Sequence, residues 1–542
     1  MLKRVTIILS SFIVLGLAQA QNSMSVQGAL GIVTIDDKLW GQIALRPVFP
    51  IWKFRVALDL FFYIDQDGNI HQDEWDFSTD EAIKNTLIDK ILFIQFGKHN
   101  EPVYLRLGML DRVTLGYGAL VFDYTNGFLY PQIRKIGLEN KLRWKSFELE
   151  GFVNDFKENI GLMGIRAQSG IGNLLTIGIT GVLDRNQYLG LEDSDYDGRP
   201  DLVDDFPDNR SYWIDSDGDG LADNHVAEID RDGDGFPDIY DLDVIHDYWD
   251  TLGDAVGEDF SNETYYDSLP DENIELKNEP LNVDEESDAI AGFGLDIGVA
   301  IIQTENIYVG VYSQYLQLIG ETTNPVTAKS EAIGSGLIPA GLATKFGPLS
   351  LNLEYRMIPK GNFEFEYWNR SYETTRSILS PLDLTTIGNQ NEFRIHLVTK
   401  ESGLGRIGTM KGYYGRVQFE LGESVWLTTT YQNLTGEIWK SGQGSFTNGS
   451  LQNFLAAVEL ARGIGRIQYA SAYYQQRNVP NPFKFEPTEN TIMGYNFGIK
   501  LGLGILLNYT YKRTYRDNNG DGDVNDNDDV INIIIIEASF GF

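Results

Sequence analysis

The chain has 542 residues with 78 Asp and Glu against 43 Lys and Arg, a formal charge of -35, and no cysteine. The missing cysteines exclude disulfides, thiol catalysis, cysteine-zinc centres and a lipoprotein anchor. The acidic balance excludes nucleic acid as a partner, because such a surface repels phosphates.

The charge is not spread evenly. Residues 186–290 hold 34 acidic and 4 basic residues, while the rest of the chain is close to neutral. The chain therefore reads as a near-neutral body interrupted by one strongly acidic insertion.

In chain order, Lys3 and Arg4 precede an apolar run from Val5 to Leu17, followed by Ala18, Gln19 and Ala20 in small-x-small order. This is a signal-peptide pattern over residues 1–20 and predicts export; the apolar run is shorter than the roughly 20 residues of a spanning helix.

From residue 21 the dominant period is two. In "IWKFRVALDLFF", Trp52, Phe54, Val56, Leu58, Leu60 and Phe62 share one face, and Lys53, Arg55, Ala57 and Asp59 the other. Leu349, Leu351, Leu353, Tyr355 and Met357 oppose Ser350, Asn352, Glu354 and Arg356 in the same way, and Gly415, Val417, Phe419 and Leu421 oppose Arg416, Gln418 and Glu420. Such alternation predicts strands with one apolar and one wet face.

Strands are predicted at 25–34, 37–47, 51–63, 89–97, 102–110, 133–144, 146–154, 160–168, 174–185, 290–302, 306–319, 333–345, 348–358, 408–420, 423–434, 451–461, 465–476, 491–501, 504–513 and 530–542, twenty in all. Every second connection is short, and most of the alternate ones are long (64–88, 111–132, 186–289, 359–407, 435–450, 477–490, 514–529). Loop length sorted by parity predicts an all-β transmembrane antiparallel barrel of about 20 strands. In lipid, only a closed sheet satisfies every backbone polar group. The first part of the barrel is assigned to 21–185 and the second to 290–542, with the acidic insertion at 186–289 between them.

The last strand, "VINIIIIEASFGF", carries Ile534, Ile536, Ala538 and Phe540 on one face and ends at Phe542. It resembles the terminal-aromatic signature of Gram-negative outer-membrane barrels of the porin-like kind. That resemblance implies an outer-membrane location, periplasmic termini, extracellular long loops, surrounding lipid and recognition by the barrel-assembly machinery. No domain of about a hundred residues precedes the first strand, which speaks against the energised receptor class.

The segment "GMLDRVTLGYGALVFDYTNGFLYP" at 108–131, rich in glycine and aromatics, suits packing against an inner wall; a tall hairpin above the membrane is the open alternative. Residues predicted to face the lumen are Lys53, Arg55, Asp59, Arg106, Glu139, Lys141, Arg143, Glu148, Glu150, Glu354, Arg356, Arg416 and Glu420, a set of both signs.

The insertion carries the most specific motif. In "DSDYDGRPDLVD", Asp193, Asp195, Asp197, Asp201 and Asp204 occupy places one, three, five, nine and twelve, with Gly198 sixth; in "DRDGDGFPDIYD" the same places are Asp230, Asp232, Asp234, Asp238, Asp241 and Gly235. A third copy has Asp517, Asn519, Asp521, Gly522, Asn525 and Asp528, and a fourth has Asp215, Asp217, Asp219, Gly220 and Asp223, with Val226 where the closing acid belongs. Alternate oxygens around a sharp glycine turn are what a six- to eight-coordinate calcium ion requires. Residues 193–243 resemble the calcium-binding repeats of thrombospondin type 3 modules, though without their cysteines. The resemblance implies Ca2+ ordering an extended loop whose charges otherwise repel within about 8 Å.

The five histidines (His71, His99, His225, His246, His396) stand beside no recognisable nucleophile motif, so no catalytic residue is assigned and no enzyme activity is expected. The expected function is a porin-like channel or solute-binding transporter with a small solute in the lumen. The rival reading is a surface protein that uses the barrel as an anchor for a protein or glycan partner; a lipid-modifying enzyme is a further alternative.

Overall fold

The computed structural model describes residues 25–541 except 36–37, 67, 71–74, 76, 78, 132, 173, 192, 216–219, 221, 224–279, 382–394, 423, 503, 518–523 and 527–528. It divides into two compact units, residues 1–187 with 288–542, and residues 188–287.

The first unit is built from antiparallel strands. The first half runs β1 (Ser25–Ile35), β2 (Lys38–Ile51), β3 (Phe54–Leu58), β4 (Leu60–Ile64), β5 (Ile91–Phe96), β6 (Val103–Gly108), β7 (Gly137–Trp144), β8 (Phe147–Val153), β9 (Leu162–Ile171) and β10 (Leu175–Asp184). The second half runs β11 (Ile290–Gln303), β12 (Ile307–Ile319), β13 (Glu321–Thr323), β14 (Ser330–Ala332), β15 (Ser335–Phe346), β16 (Leu349–Ile358), β17 (Ser377–Pro381), β18 (Ile395–Thr399), β19 (Ile407–Leu421), β20 (Val425–Lys440), β21 (Ser445–Leu460), β22 (Ile467–Val479), β23 (Thr491–Gly502), β24 (Ile505–Tyr515) and β25 (Val530–Gly541). β3 and β4 are one strand interrupted at Asp59, whose N–H bonds to Lys90 O at 2.9 Å instead of continuing a ladder. β13 with β14, and β17 with β18, are small hairpins outside the main sheet.

Each remaining strand pairs with its neighbours in sequence, and β1 pairs with β25 from Gln27↔Gly541 to Val33↔Ile535. The sheet is thereby a closed antiparallel barrel of 20 strands. Closure leaves no free edge, so the isoleucine-rich β25 has a partner on both sides, β24 and β1. All twenty predicted strands are present; boundaries differ most at β20, which runs on to Lys440, and at β21, which begins at Ser445. Residues 80–89, predicted as loop, form a helix capped by Thr79 Oγ1 accepting from Ala82 N at 3.0 Å.

The alternation sorts as expected. Leu30, Ile43, Ile165, Ile179, Leu295, Ile297, Leu353 and Val417 are exposed on the outer face, while Arg166, Asp296, Asn352, Glu354 and Arg356 are buried on the inner one. A barrel with an apolar exterior and a polar, buried interior fits a lipid surround.

Candidate functional site

The lumen is occupied by two stretches of the chain itself. Residues 109–136 leave β6, turn inward and return as β7. Within this first lumen loop Val113 and Tyr124 exchange backbone hydrogen bonds of 2.9 Å each, making a narrow hairpin. Its base is fixed by Thr125 Oγ1 donating to Leu110 O at 2.8 Å and by Asn126 Oδ1 accepting from Leu110 N at 2.7 Å. Of the two alternatives left open for residues 108–131, the structure takes the inward one.

Residues 359–376, predicted as part of a long external loop, also fold inward. Phe363, Phe365, Tyr367, Trp368 and Tyr372 are almost fully buried there. The two loops form a short parallel pairing: Phe122 N donates to Trp368 O at 3.0 Å, Trp368 N to Leu120 O at 3.2 Å, and Glu366 N to Ala119 O at 2.8 Å. Their apolar side chains join inward residues of the wall, among them Phe152, Leu162, Leu316, Ile338 and Ile358, in one core.

Glycines on the inner wall make this docking possible. A Cβ at Gly292 would stand 2.6 Å from the Trp368 ring, and one at Gly336 would collide with Phe363. Gly294 and Gly298 similarly face Leu120 and Tyr117. The wall is smooth where the loops press on it, which is the close-approach role of glycine in a strand.

Buried ion pairs orient the loops. Arg370 binds Asp123 through Nε and Nη2 at 2.7 and 3.0 Å, tying one loop to the other. Glu366 accepts from Arg356 at 3.3 Å and Arg477 at 2.9 Å, both from the wall, and Glu364 accepts from Arg477 at 2.9 Å. Arg376 grips Asp184 by two bonds of 2.7 Å and reaches Glu158 at 2.9 Å. Lys135 bridges Glu158 and Glu373. Lys512 Nζ donates to the carbonyls of Gly127 and Phe128, both at 2.8 Å, latching the first loop to β24. Desolvating these charges is costly, and pairing with further hydrogen bonds is what makes it tolerable.

Of the predicted lumen residues, Asp59, Glu354, Arg356 and Arg416 are buried inside. Lys141 pairs with Glu148 at 2.6 Å and Glu150 at 2.9 Å. Arg106 lies over the Phe93 ring, and Tyr104 donates weakly to Glu139 at 3.4 Å. Arg143 bonds to His99 O at 3.0 Å near the 97–102 turn, while Lys53, Arg55 and Glu420 are exposed. Arg134, Lys135, Glu158, Glu364, Glu366, Arg370, Arg376 and Arg477 were not foreseen. For Glu364, Glu366, Arg370 and Arg376 the available signal is the density of aromatics in "GNFEFEYWNRSYETTR", unusual for an exposed loop; for the other four no local signal stands out.

Beside the first lumen loop lies a cavity of about 460 Å³, lined by inward residues of β1, β2, β5, β22, β24 and β25 and by loop residues Met109, Tyr130, Arg134 and Ile136. Arg46 spans Asp59 at 2.9 Å and Glu537 at 2.7 Å at its margin.

At the loop end of the barrel Glu401 is pushed up to about 9 by burial and by the neighbouring carboxylate of Asp288. Its backbone oxygen accepts from Thr322 Oγ1 at 2.8 Å.

The second unit contains the first aspartate motif. The carboxylate oxygens of Asp193, Asp195 and Asp197 lie within 4.8 Å of one another, a triad able to hold a metal ion. Gly198 has φ +91°, and its N–H donates to Asp193 Oδ2 at 2.9 Å. Gly220 repeats this in the next copy, with φ +91° and a 2.9 Å bond to Asp215 Oδ2. The register of the repeats therefore has a structural counterpart: the sixth residue turns in the left-handed region that glycine tolerates.

Asp201 accepts from Ser194 N and Oγ at 2.8 and 2.7 Å, and Asp204 Oδ1 from Phe206 N at 2.7 Å. Asp193 Oδ1, Asp195 Oδ2 and Asp204 Oδ2 are buried without any hydrogen-bond partner. Burial pushes Asp193 and Asp204 up to about 6. Orphaned carboxylate oxygens converging on one turn are what a hard cation would satisfy. In the other copies, Asp223 N bonds to Ile214 O at 2.8 Å, Asp517 is buried and Asn525 exposed. Asp217, Asp219, Asp230, Asp232, Asp234, Asp238, Asp241, Asn519, Asp521 and Asp528 lie outside the described residues.

No protein-family model and no curated protein matches the sequence. Among solved structures, the chain is similar to CdiB from Acinetobacter baumannii (7% identity, TM-score 0.23), where 97% of this chain spans 61% of that one. It is also similar to the FrpB iron transporter from Neisseria meningitidis (8%, TM-score 0.36, covering 97% and 82% of the two chains). A third similar structure is the outer membrane protein OprD from Pseudomonas aeruginosa (8%, TM-score 0.29, 96% and 94%). At these scores the likenesses bear no weight, and the barrel rests on the strand register alone.

Proposed function

We propose that this chain is a bacterial outer-membrane barrel that binds a small solute in its lumen and passes it under control of the two lumen loops. The long loops face outward and the termini the periplasm. The observation that carries the reading is the lumen itself: two wall-docked loops, held by buried ion pairs, beside a partly open cavity with polar groups. A barrel serving only as an anchor has no need of such a cavity. The reading involves no catalytic step. Its partners are lipid, the barrel-assembly machinery and the solute.

The second element of the proposal is that Ca2+ orders the acidic insertion through Asp193, Asp195 and Asp197 and through the repeats that follow, as in thrombospondin type 3 modules. The orphaned oxygens of Asp193, Asp195 and Asp204 support it. Extracellular modules bind calcium at about 10⁻⁴ to 10⁻³ M.

Conductance in planar bilayers tests the first element. Discrete steps from the native chain, more frequent when Trp368→Ala loosens the second loop, are expected; silence from both proteins favours the surface anchor. Limited proteolysis tests the second. Cleavage between about 190 and 290 should appear only after chelation, and equal resistance with and without calcium would leave the aspartates merely solvated.

A further inference from the structure

The cavity beside the first lumen loop has a chemistry that narrows its occupant. Its volume of about 460 Å³ falls in the range of about 300–1,000 Å³ common to small-molecule sites. Its charges cancel in place. Arg46 and Arg134 share Asp59 at 2.9 and 3.1 Å, Arg46 also holds Glu537 at 2.7 Å, and Lys135, the third cation of the lining, is held by Glu158 and Glu373, so every lining cation is already paired. An ion entering this space would lose hydration without meeting a counter-charge.

What the cavity lacks is a hydrogen-bond partner of each kind. Gln42 is 4% exposed, and its Oε1 accepts from nothing. Arg134 Nε is buried with no acceptor, although the other guanidinium nitrogens are bound to Asp59, Tyr63 and Tyr130. Leaving such groups unmet costs their desolvation with no bond in return. A hydroxyl can meet either need, since it donates once and accepts twice, and a solute with several hydroxyls can meet both. Asn508, strung between Glu537 Oε1 at 3.1 Å and Tyr469 Oη at 2.9 Å, adds a planar amide to the lining. Met109, Leu92 and Ile136 supply an apolar wall for the C–H face of a ring.

We propose that this cavity binds a neutral, hydroxyl-rich solute of sugar size, with Gln42 and Arg134 as the groups that discriminate it from charged analogues. The inference rests on the reading of the barrel as solute-binding and names the class of solute.

Equilibrium dialysis of the full chain in detergent tests it with glucose, maltose, glucosamine and glucuronate, the first pair neutral and the second pair cationic and anionic. Saturable binding of glucose or maltose is expected, at least tenfold tighter than that of either charged sugar. Gln42→Leu should weaken it at least tenfold, and Thr510→Trp, which fills the cavity from β24, should abolish it; heat-modifiable migration on gels confirms that each variant is folded. Glucuronate or glucosamine binding as tightly as glucose overturns the assignment, as does binding indifferent to both substitutions. If the native chain conducts in bilayers yet binds no neutral sugar, the solute class falls and the transport reading stands. If it binds sugar but never conducts, the site stands and passage falls.

Discussion

Gly292→Ala is the smallest change that should release a lumen loop. The added methyl would sit 2.6 Å from Trp368 Cζ3 and 2.7 Å from Cη2, whereas carbon atoms in contact settle near 3.5–4.0 Å. The ring has little room to retreat: Trp368 is fully buried, and its backbone is held at N and O by Leu120 and Phe122. Overpacking of this kind costs about 1–3 kcal/mol. If undocking relieves that strain, the released population rises by about 5- to 150-fold. The chain lacks cysteine, so a single Thr375→Cys reports on the loop, Thr375 being buried when docked. Its maleimide labelling rate should rise by that factor in Gly292→Ala, because labelling follows the opened fraction. In a Trp368→Ala background the same glycine substitution should have no further effect, since the methyl then meets open space. An unchanged labelling rate, or an effect that survives loss of the tryptophan, would refute the docking argument.

Arg376→Met should strand Asp184 in the interior, leave Glu158 to Lys135 alone, and cost about 3–5 kcal/mol, lowering the temperature at which the compact gel form converts to the unfolded one. Conversion at the native temperature would mean the pair is solvated. Removing residues 190–286 should leave a heat-modifiable barrel, because Gln187 N already bonds to Asp288 O at 2.8 Å across the neck, and shortening a loop is entropically mild. Loss of membrane insertion would place the insertion within the barrel's folding unit. Glu401 should make its loop pH-sensitive: a carboxyl at about 9 when docked and near 4.5 when released holds its proton only in the docked state. Docked stability is then full below about pH 4.5, falls as pH rises, and levels above about 9. Hydrogen exchange at Gly405 N–H, bonded to Thr322 Oγ1 at 2.9 Å, should accelerate across that window, and Glu401→Gln should flatten the profile.

The local rules of a strand were enough to place twenty strands, because inside-outside alternation and loop length depend only on neighbours in sequence. The same locality explains the aspartate motif: ligand places and glycine turn fall within twelve residues, and Gly198 and Gly220 take the expected conformation at the expected position. Lumen-facing charges on strands, such as Glu354 and Arg356, followed from alternation as well. What residues 359–376 do did not follow, since a loop's course depends on what the far wall offers. Trp368 is buried because Gly292, 76 positions earlier, leaves space for its ring. Arg376 meets Asp184 across a sequence separation of 192. Nor does any local pattern bring Gln42, Arg134 and Glu537 to one cavity. That meeting required β1 to close on β25 and the first loop to fold inward, both of which are decisions of the tertiary structure: they depend on desolvation and fit between segments that share no neighbourhood in the chain.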